Sequence, residues 1–264
     1  MQKVSPEIEQ LNLPIAITEC FSKLSNGLER TNRNLIIEVI DELPNQTMSA
    51  GCTHDEKTFG IFIKKSEIEQ AKINEIIKKD VFRALMHEAY HGILNFSEGF
   101  LKLTAKEGVK FTNEENYIAT QIRTMVDDII VNYKVSQQGF PKFGRNFLPY
   151  IEGSINLINK KQDPFRNEKE RLGENACSKF KISRYIFAWA YIKYFELEEK
   201  ESLLLNKFLS RFRNNFITEY EECKKITKLF DNYDIFRTKA HEIVTKKIAE
   251  MWQLSEKTEM IFLG

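Results

Sequence analysis

Residues 80–96 read DVFRALMHEAYHGILNF, and the organisation of the chain follows from that stretch. Phe82, Leu85, Ala89, Ile93 and Phe96 recur at helical spacing and define one buried stripe. Ala84, His87, Glu88, His91 and Asn95 lie together beside that stripe. Residues four apart on a helix project to the same side, so His87 and His91 can present two imidazoles to a single point. The chain has only four histidines, and two of them fall in this five-residue window.

Working outward, LIIEVIDEL (35–43) is rich in β-branched residues and ends at Pro44, the pattern of a strand. FGIFIKK (59–65) predicts a second strand, expected antiparallel to the first, with Gly60 allowing close backbone approach. His54 falls in the polar stretch between them and is expected in an exposed loop. Ser66 and Glu69 form a capping-box pattern that predicts a helix over about 66–78. Residues 6–30 read as helix, interrupted at Pro14. Downstream, Thr112 and Glu115 form another capping box ahead of a long helix over about 113–136, with Ile118, Ile122, Met125, Ile129 and Tyr133 as its core stripe.

Gly139, Pro141, Gly144 and Pro149 mark a break, and 163–175 is polar and expected exposed. From Lys181 onward the pattern is helical and aromatic, with Tyr185, Phe187, Trp189, Tyr191, Tyr194 and Phe195 read as core. The fold expected is α+β and predominantly α-helical, with a small antiparallel sheet and a helical C-terminal region. The simplest division places an α+β part at 1–150 and a helical part of unassigned role at 151–264.

The 264 residues are 42% hydrophobic and 29% charged, enough apolar material for a real core. Lys plus Arg (39) nearly cancels Asp plus Glu (38), so a nucleic-acid partner is not expected. No apolar run approaches the roughly 20 residues that span a bilayer, and no membrane association is expected. The first twenty residues lack a basic-then-apolar signal, and Cys20, Cys52, Cys177 and Cys223 form no CxxC pair. Reduced, mostly buried thiols in a cytoplasmic protein are the expectation.

His-Glu-x-x-His on one helix is a metal-site pattern with a mechanical rationale. Two imidazoles hold zinc, and Glu88, directly after the first histidine, sits beside the ion without ligating it. Zinc brings its water towards neutral pKa, and Glu88 takes the proton as the water attacks a carbonyl, then returns it to the leaving amine. A catalytic zinc needs a third protein ligand, and no histidine lies between His91 and His241. On the 113–136 helix, 100° per residue puts Asp128 on the side of Gln121, Met125 and Asn132. Asp128 is therefore the candidate third ligand, with Asn132 as a partner that orients a ligand. Asp127 is better placed for solvent but stays an alternative third ligand, and Glu98, Glu114 and Glu115 are weaker alternatives. His241 reads better as a core or surface histidine than as a ligand. Tyr90 and Tyr133 read as packing residues, and Gly92 as a point of close helix packing.

HEAYH on one helix with an acidic ligand on a later helix resembles the zincin-like metallopeptidases, especially the gluzincin branch. There the second helix commonly reads Glu-x-x-x-Asp; here it reads Asp128-Ile-Ile-Val-Asn132. That variant resembles a group of predicted bacterial and phage metallopeptidases with Asp-x-x-Val-Asn in this place. The resemblance spans roughly 35–136 and implies a zincin-like core, Zn2+ as cofactor, and a protein or peptide substrate. It further implies that the substrate lies along an edge strand, for which FGIFIKK is the candidate. The activity expected is peptide-bond hydrolysis. Two rivals stand beside it: an inactive zincin-like binding or regulatory protein with a structural metal, and a toxin or defence protease with one narrow target.

Overall fold

The structure, a computed structural model, describes residues 2–43 and 49–264. In chain order it begins with β1 (Gln2–Val4), α1 (Pro6–Glu9), α2 (Ile15–Glu29), β2 (Asn34–Ile40), β3 (Ala50–His54) and β4 (Thr58–Lys64). Then come α3 (Lys65–Ala71), α4 (Glu75–Phe96), β5 (Lys102–Ala105), α5 (Asn113–Arg123), a π-helical turn (Thr124–Asp128) and α6 (Ile129–Gln137). The remainder is α7 (Phe147–Asn159), α8 (Arg166–Leu172), α9 (Glu174–Tyr194), α10 (Glu199–Asn215), α11 (Ile217–Asn232), α12 (Thr238–Met251) and β6 (Thr258–Ile261). The fold is α+β and predominantly helical. Among the described residues no helix is long and apolar enough to cross a membrane.

Contacts divide the chain into two compact units. One comprises Met1–Phe100, Val131–Gly144 and Phe262–Gly264; the other comprises Leu101–Ile130 and Arg145–Ile261. The cut between Ile130 and Val131 falls inside an uninterrupted helical run that begins at Asn113.

The first unit is built on a four-stranded sheet in the order β1-β2-β4-β3. Contrary to the antiparallel pairing expected from the sequence, β2 and β4 run parallel, with Leu35 opposite Phe59 and Ile37 opposite Ile61. A third strand accounts for the difference. β3 joins β4 through a tight turn in which Asp55 Oδ1 accepts hydrogen bonds from the backbone N–H groups of Lys57 and Thr58. β3 therefore takes the antiparallel place on one side of β4, and β2 pairs with the other side. His54 ends β3 rather than lying in a loop, and its ring meets Phe96 edge-on at 6.0 Å.

Leu35, Ile37, Phe59, Ile61 and Ile63 are buried on one face of the sheet, where α2 and α4 pack. The stripe expected on α4 is buried throughout: Phe82, Leu85, Ala89, Ile93 and Phe96. Gly92 is a close approach, because a Cβ there would stand 2.6 Å from Leu24 and 2.9 Å from Phe59. The helical stretch expected at 66–78 is divided. Ser66 lies inside the first turn of α3, whose cap residue is Lys64 and carries no side-chain cap. Asn74 starts α4 instead, its Oδ1 accepting from the N–H groups of Ile76 and Ile77.

The second unit packs helices around an aromatic core and carries the β5–β6 antiparallel pair. Phe165, Phe208 and Phe212 are fully buried, and Tyr185, Phe187 and Tyr191 of α9 are nearly so. The capping box of Thr112 and Glu115 is present in both directions at the start of α5. Residues 166–172 form a short helix with no buried residue, in keeping with their polarity.

Candidate metal centre

The site is laid out along one face of α4. Arg83, His87 and His91 follow each other at four-residue intervals, and a helix places such residues one above the next. His87 Nε2 and His91 Nε2 lie 3.1 Å apart, so the two rings aim their outer nitrogens at one point. Two imidazoles on a tetrahedral zinc, with bonds of roughly 2.0–2.1 Å, hold their nitrogens about 3.3 Å apart. The spacing therefore suits a shared ion without rearrangement of the helix.

The inner nitrogen of His87 is engaged as well. Its Nδ1 stands 3.0 Å from Oδ1 of Asn132, which is buried at 4% exposure on α6. Asn132, expected as a partner that orients a ligand, meets His87 here, and a metal-binding histidine ordinarily has such a partner on its second nitrogen. Asn95 secures the far end of the site by donating to the His91 carbonyl at 2.7 Å. Glu88 is buried at 7% exposure, next to His87 on the side of the helix stripe.

His87, His91 and Asp128 each offer a ligand atom, and these atoms lie within 4.8 Å of one another. All three residues are partly exposed. Two nitrogens and one carboxylate oxygen form a donor set that accepts a divalent ion of borderline softness and leaves a coordination position open. The residues present thus fit a metal ion.

The weaker carboxylate candidates are committed elsewhere. Glu98 bridges Lys23 at 2.6 Å and Lys134 at 2.8 Å. Burial works to raise its carboxyl pKa, but the two lysines outweigh it and hold the group below the ordinary range. Glu115 serves the cap of α5 and pairs with Lys257, while Glu114 accepts from Asn175 at 2.9 Å.

Two features escape a reading of the sequence. The first is the π-turn at Thr124–Asp128. Its i→i+5 bonding winds the chain more loosely than an α-helix, so a constant 100° projection does not hold within the turn. Asp127 is the residue that this projection misplaces. Instead of facing solvent it lies with its Oδ1 2.7 Å from His241 Nε2, its side chain 14% exposed. His241 is a core residue at 1% exposure. The second feature is Arg83, which donates through Nη2 to Asn132 Oδ1 at 2.6 Å and through Nε to the Pro141 carbonyl at 3.1 Å. Its place one turn before His87 was visible in the sequence, but nothing local tells a buried arginine from a solvated one.

Among the remaining side chains, Tyr90 is partly buried, and desolvation pushes its hydroxyl up to about 12. The four cysteines are free thiols, and Cys20, Cys177 and Cys223 are buried. No family model, curated protein or solved structure matches the chain.

Proposed function

We propose that the chain is a zinc-dependent metallopeptidase of the zincin-like kind, acting on protein or peptide substrates. The observation that carries this reading is the pairing of His87 and His91 at 3.1 Å between Nε2 atoms, within ligand distance of Asp128. In this reading His87, His91 and Asp128 hold the ion. When bound, zinc supplies a Lewis acid that brings water towards neutral pKa and polarises a carbonyl. Glu88 is the general base: it takes the proton of the attacking water on its carboxylate and delivers it to the leaving amine. Asn132 keeps His87 in one orientation throughout, and Asn95 does the same for the turn that bears His91.

The edge strand implied for the substrate changes identity. FGIFIKK forms β4, which has neighbours on both sides, so its backbone groups are already paired. β3 is the edge strand that packs with α4, and it is the one an extended peptide would join through backbone hydrogen bonds. Three buried free thiols suit a reducing compartment, in line with a cytoplasmic location.

Metal content tests the reading. Mass spectrometry of the native protein is expected to give about one zinc per chain, lost in His87→Ala and Asp128→Ala. Zinc retained without Asp128 moves the third ligand elsewhere. No zinc in any sample after reconstitution removes the metallopeptidase reading altogether.

A further inference from the structure

Arg83 is buried at 9% exposure, yet the groups it donates to are a carboxamide oxygen and a backbone carbonyl. The carboxamide oxygen is the informative contact. Asn132 Oδ1 receives Arg83 Nη2 at 2.6 Å and also lies 3.0 Å from His87 Nδ1. A carboxamide has two unlike ends, one that accepts and one that donates two protons. A guanidinium only donates. The end of Asn132 that faces Arg83 must therefore be the oxygen, because an NH2 group there would set donor against donor. His87 Nδ1 meets the same oxygen and must carry the proton. Its Nε2 is then left with a lone pair, directed at His91 Nε2 and the Asp128 group.

We propose that Arg83 is a positioning residue for the metal centre, which holds the Asn132 amide in one orientation and thereby selects the His87 tautomer able to bind a divalent cation. Without Arg83 the amide is free to turn over. Its NH2 group would then donate to His87 Nδ1, and the proton would move to Nε2, the atom a metal needs. A carboxylate at position 132 has two equivalent oxygens and cannot present a donor. With aspartate there, Arg83 becomes dispensable for tautomer selection.

The proposal rests on the metal reading of the site, and the experiment separates the two. Zn2+ affinity is measured by competition with a chromophoric chelator for wild type, Arg83→Met, Arg83→Lys and the double variant Arg83→Met/Asn132→Asp. Arg83→Met is expected to bind zinc about 10- to 100-fold more weakly. Arg83→Lys keeps a donor-only cation but loses the Nε bond to Pro141, and it is expected within about twofold of wild type. The double variant is expected to regain the affinity lost in Arg83→Met. Long-range 1H–15N spectra of the metal-free proteins at pH 8 supply a second readout. Wild type and Arg83→Lys should show His87 protonated at Nδ1, and Arg83→Met should show the Nε2–H form. If Arg83 serves only to hold 138–144 through Pro141, Lys loses zinc as Met does, aspartate restores nothing and the tautomer stays unchanged. That result overturns the proposal. If the wild type binds no zinc but Arg83→Met still converts His87 to the Nε2–H form, the metal reading is overturned and tautomer selection stands.

Discussion

His241 Nε2 lies 2.7 Å from Asp127 Oδ1, and the pair joins α12 to the π-turn immediately before Asp128. His241 is 1% exposed and reaches the second to last residue of that turn. A π-turn replaces i→i+4 backbone bonds with a wider loop of chain and is rarely kept without a local reason. Here the turn carries Asp127, which meets His241, and Asp128, which lies in the His87–His91–Asp128 group.

His241→Ala leaves the Asp127 side chain without this partner in a nearly enclosed position, a loss worth about 1–3 kcal/mol. Chemical denaturation should register that drop, and zinc affinity should fall with it because the turn that carries Asp128 loses its anchor. His241→Asn, which can still donate, should recover part of both. A His241→Ala protein within about 0.5 kcal/mol of wild type would refute the anchoring role.

Glu88→Gln removes the proton acceptor and keeps the size of the side chain. Turnover of a peptide substrate should drop by about 10²- to 10⁴-fold while zinc content and melting behaviour stay close to wild type. Undiminished turnover in this variant would end the general-base assignment.

Gly92→Ala tests the helix packing beneath the site. The added methyl meets Leu24 Cδ1 at 2.6 Å and Phe59 Cζ at 2.9 Å, on α2 and β4 respectively. Overpacking of this kind costs about 1–3 kcal/mol. The unfolding midpoint should move accordingly, and an unchanged midpoint would mean that Leu24 and Phe59 give way freely.

Glu98 contributes a defined pH dependence. Burial opposes its ionisation, but Lys134 and Lys23 prevail, and its pKa in the folded protein lies below the ordinary carboxyl value of 4.5. A depressed acid stabilises the fold above the unfolded pKa and loses that contribution as pH falls through the folded value. Denaturation of wild type and Glu98→Gln should therefore differ by up to about 1 kcal/mol at pH 6–7, and the difference should shrink as pH falls below 4.5 and through the lower folded value. Curves that run parallel across the whole range would exclude the linkage.

Much of the candidate site was legible in the residues themselves. The apolar repeat from Phe82 to Phe96 placed His87 and His91 on one helical face, and the buried stripe agrees with it. Thr112 and Glu115 marked the start of α5 because a cap depends on residues three apart, a purely local matter. Asn132 was legible as part of the candidate site because it falls one turn after Asp128, and it meets His87.

What escaped depended on contacts between segments far apart in the chain. The direction of β2 against β4 turned on β3, whose hairpin with β4 left only the other side for β2. The edge strand changed from β4 to β3 for the same reason. The π-turn left no mark in the sequence pattern, since Ile118, Ile122, Met125 and Ile129 keep helical spacing through it and are all buried.

Residue identity alone thus determined the α+β class, the helix that carries HEAYH and the donor types available to an ion, because helical faces and caps are set over a few residues. Tertiary structure alone decided the parallel pairing, the rotation that turns Asp127 to His241, and the burial of Arg83 against Asn132. Each of these depends on which distant segment arrives at a given face, and local spacing carries no record of that.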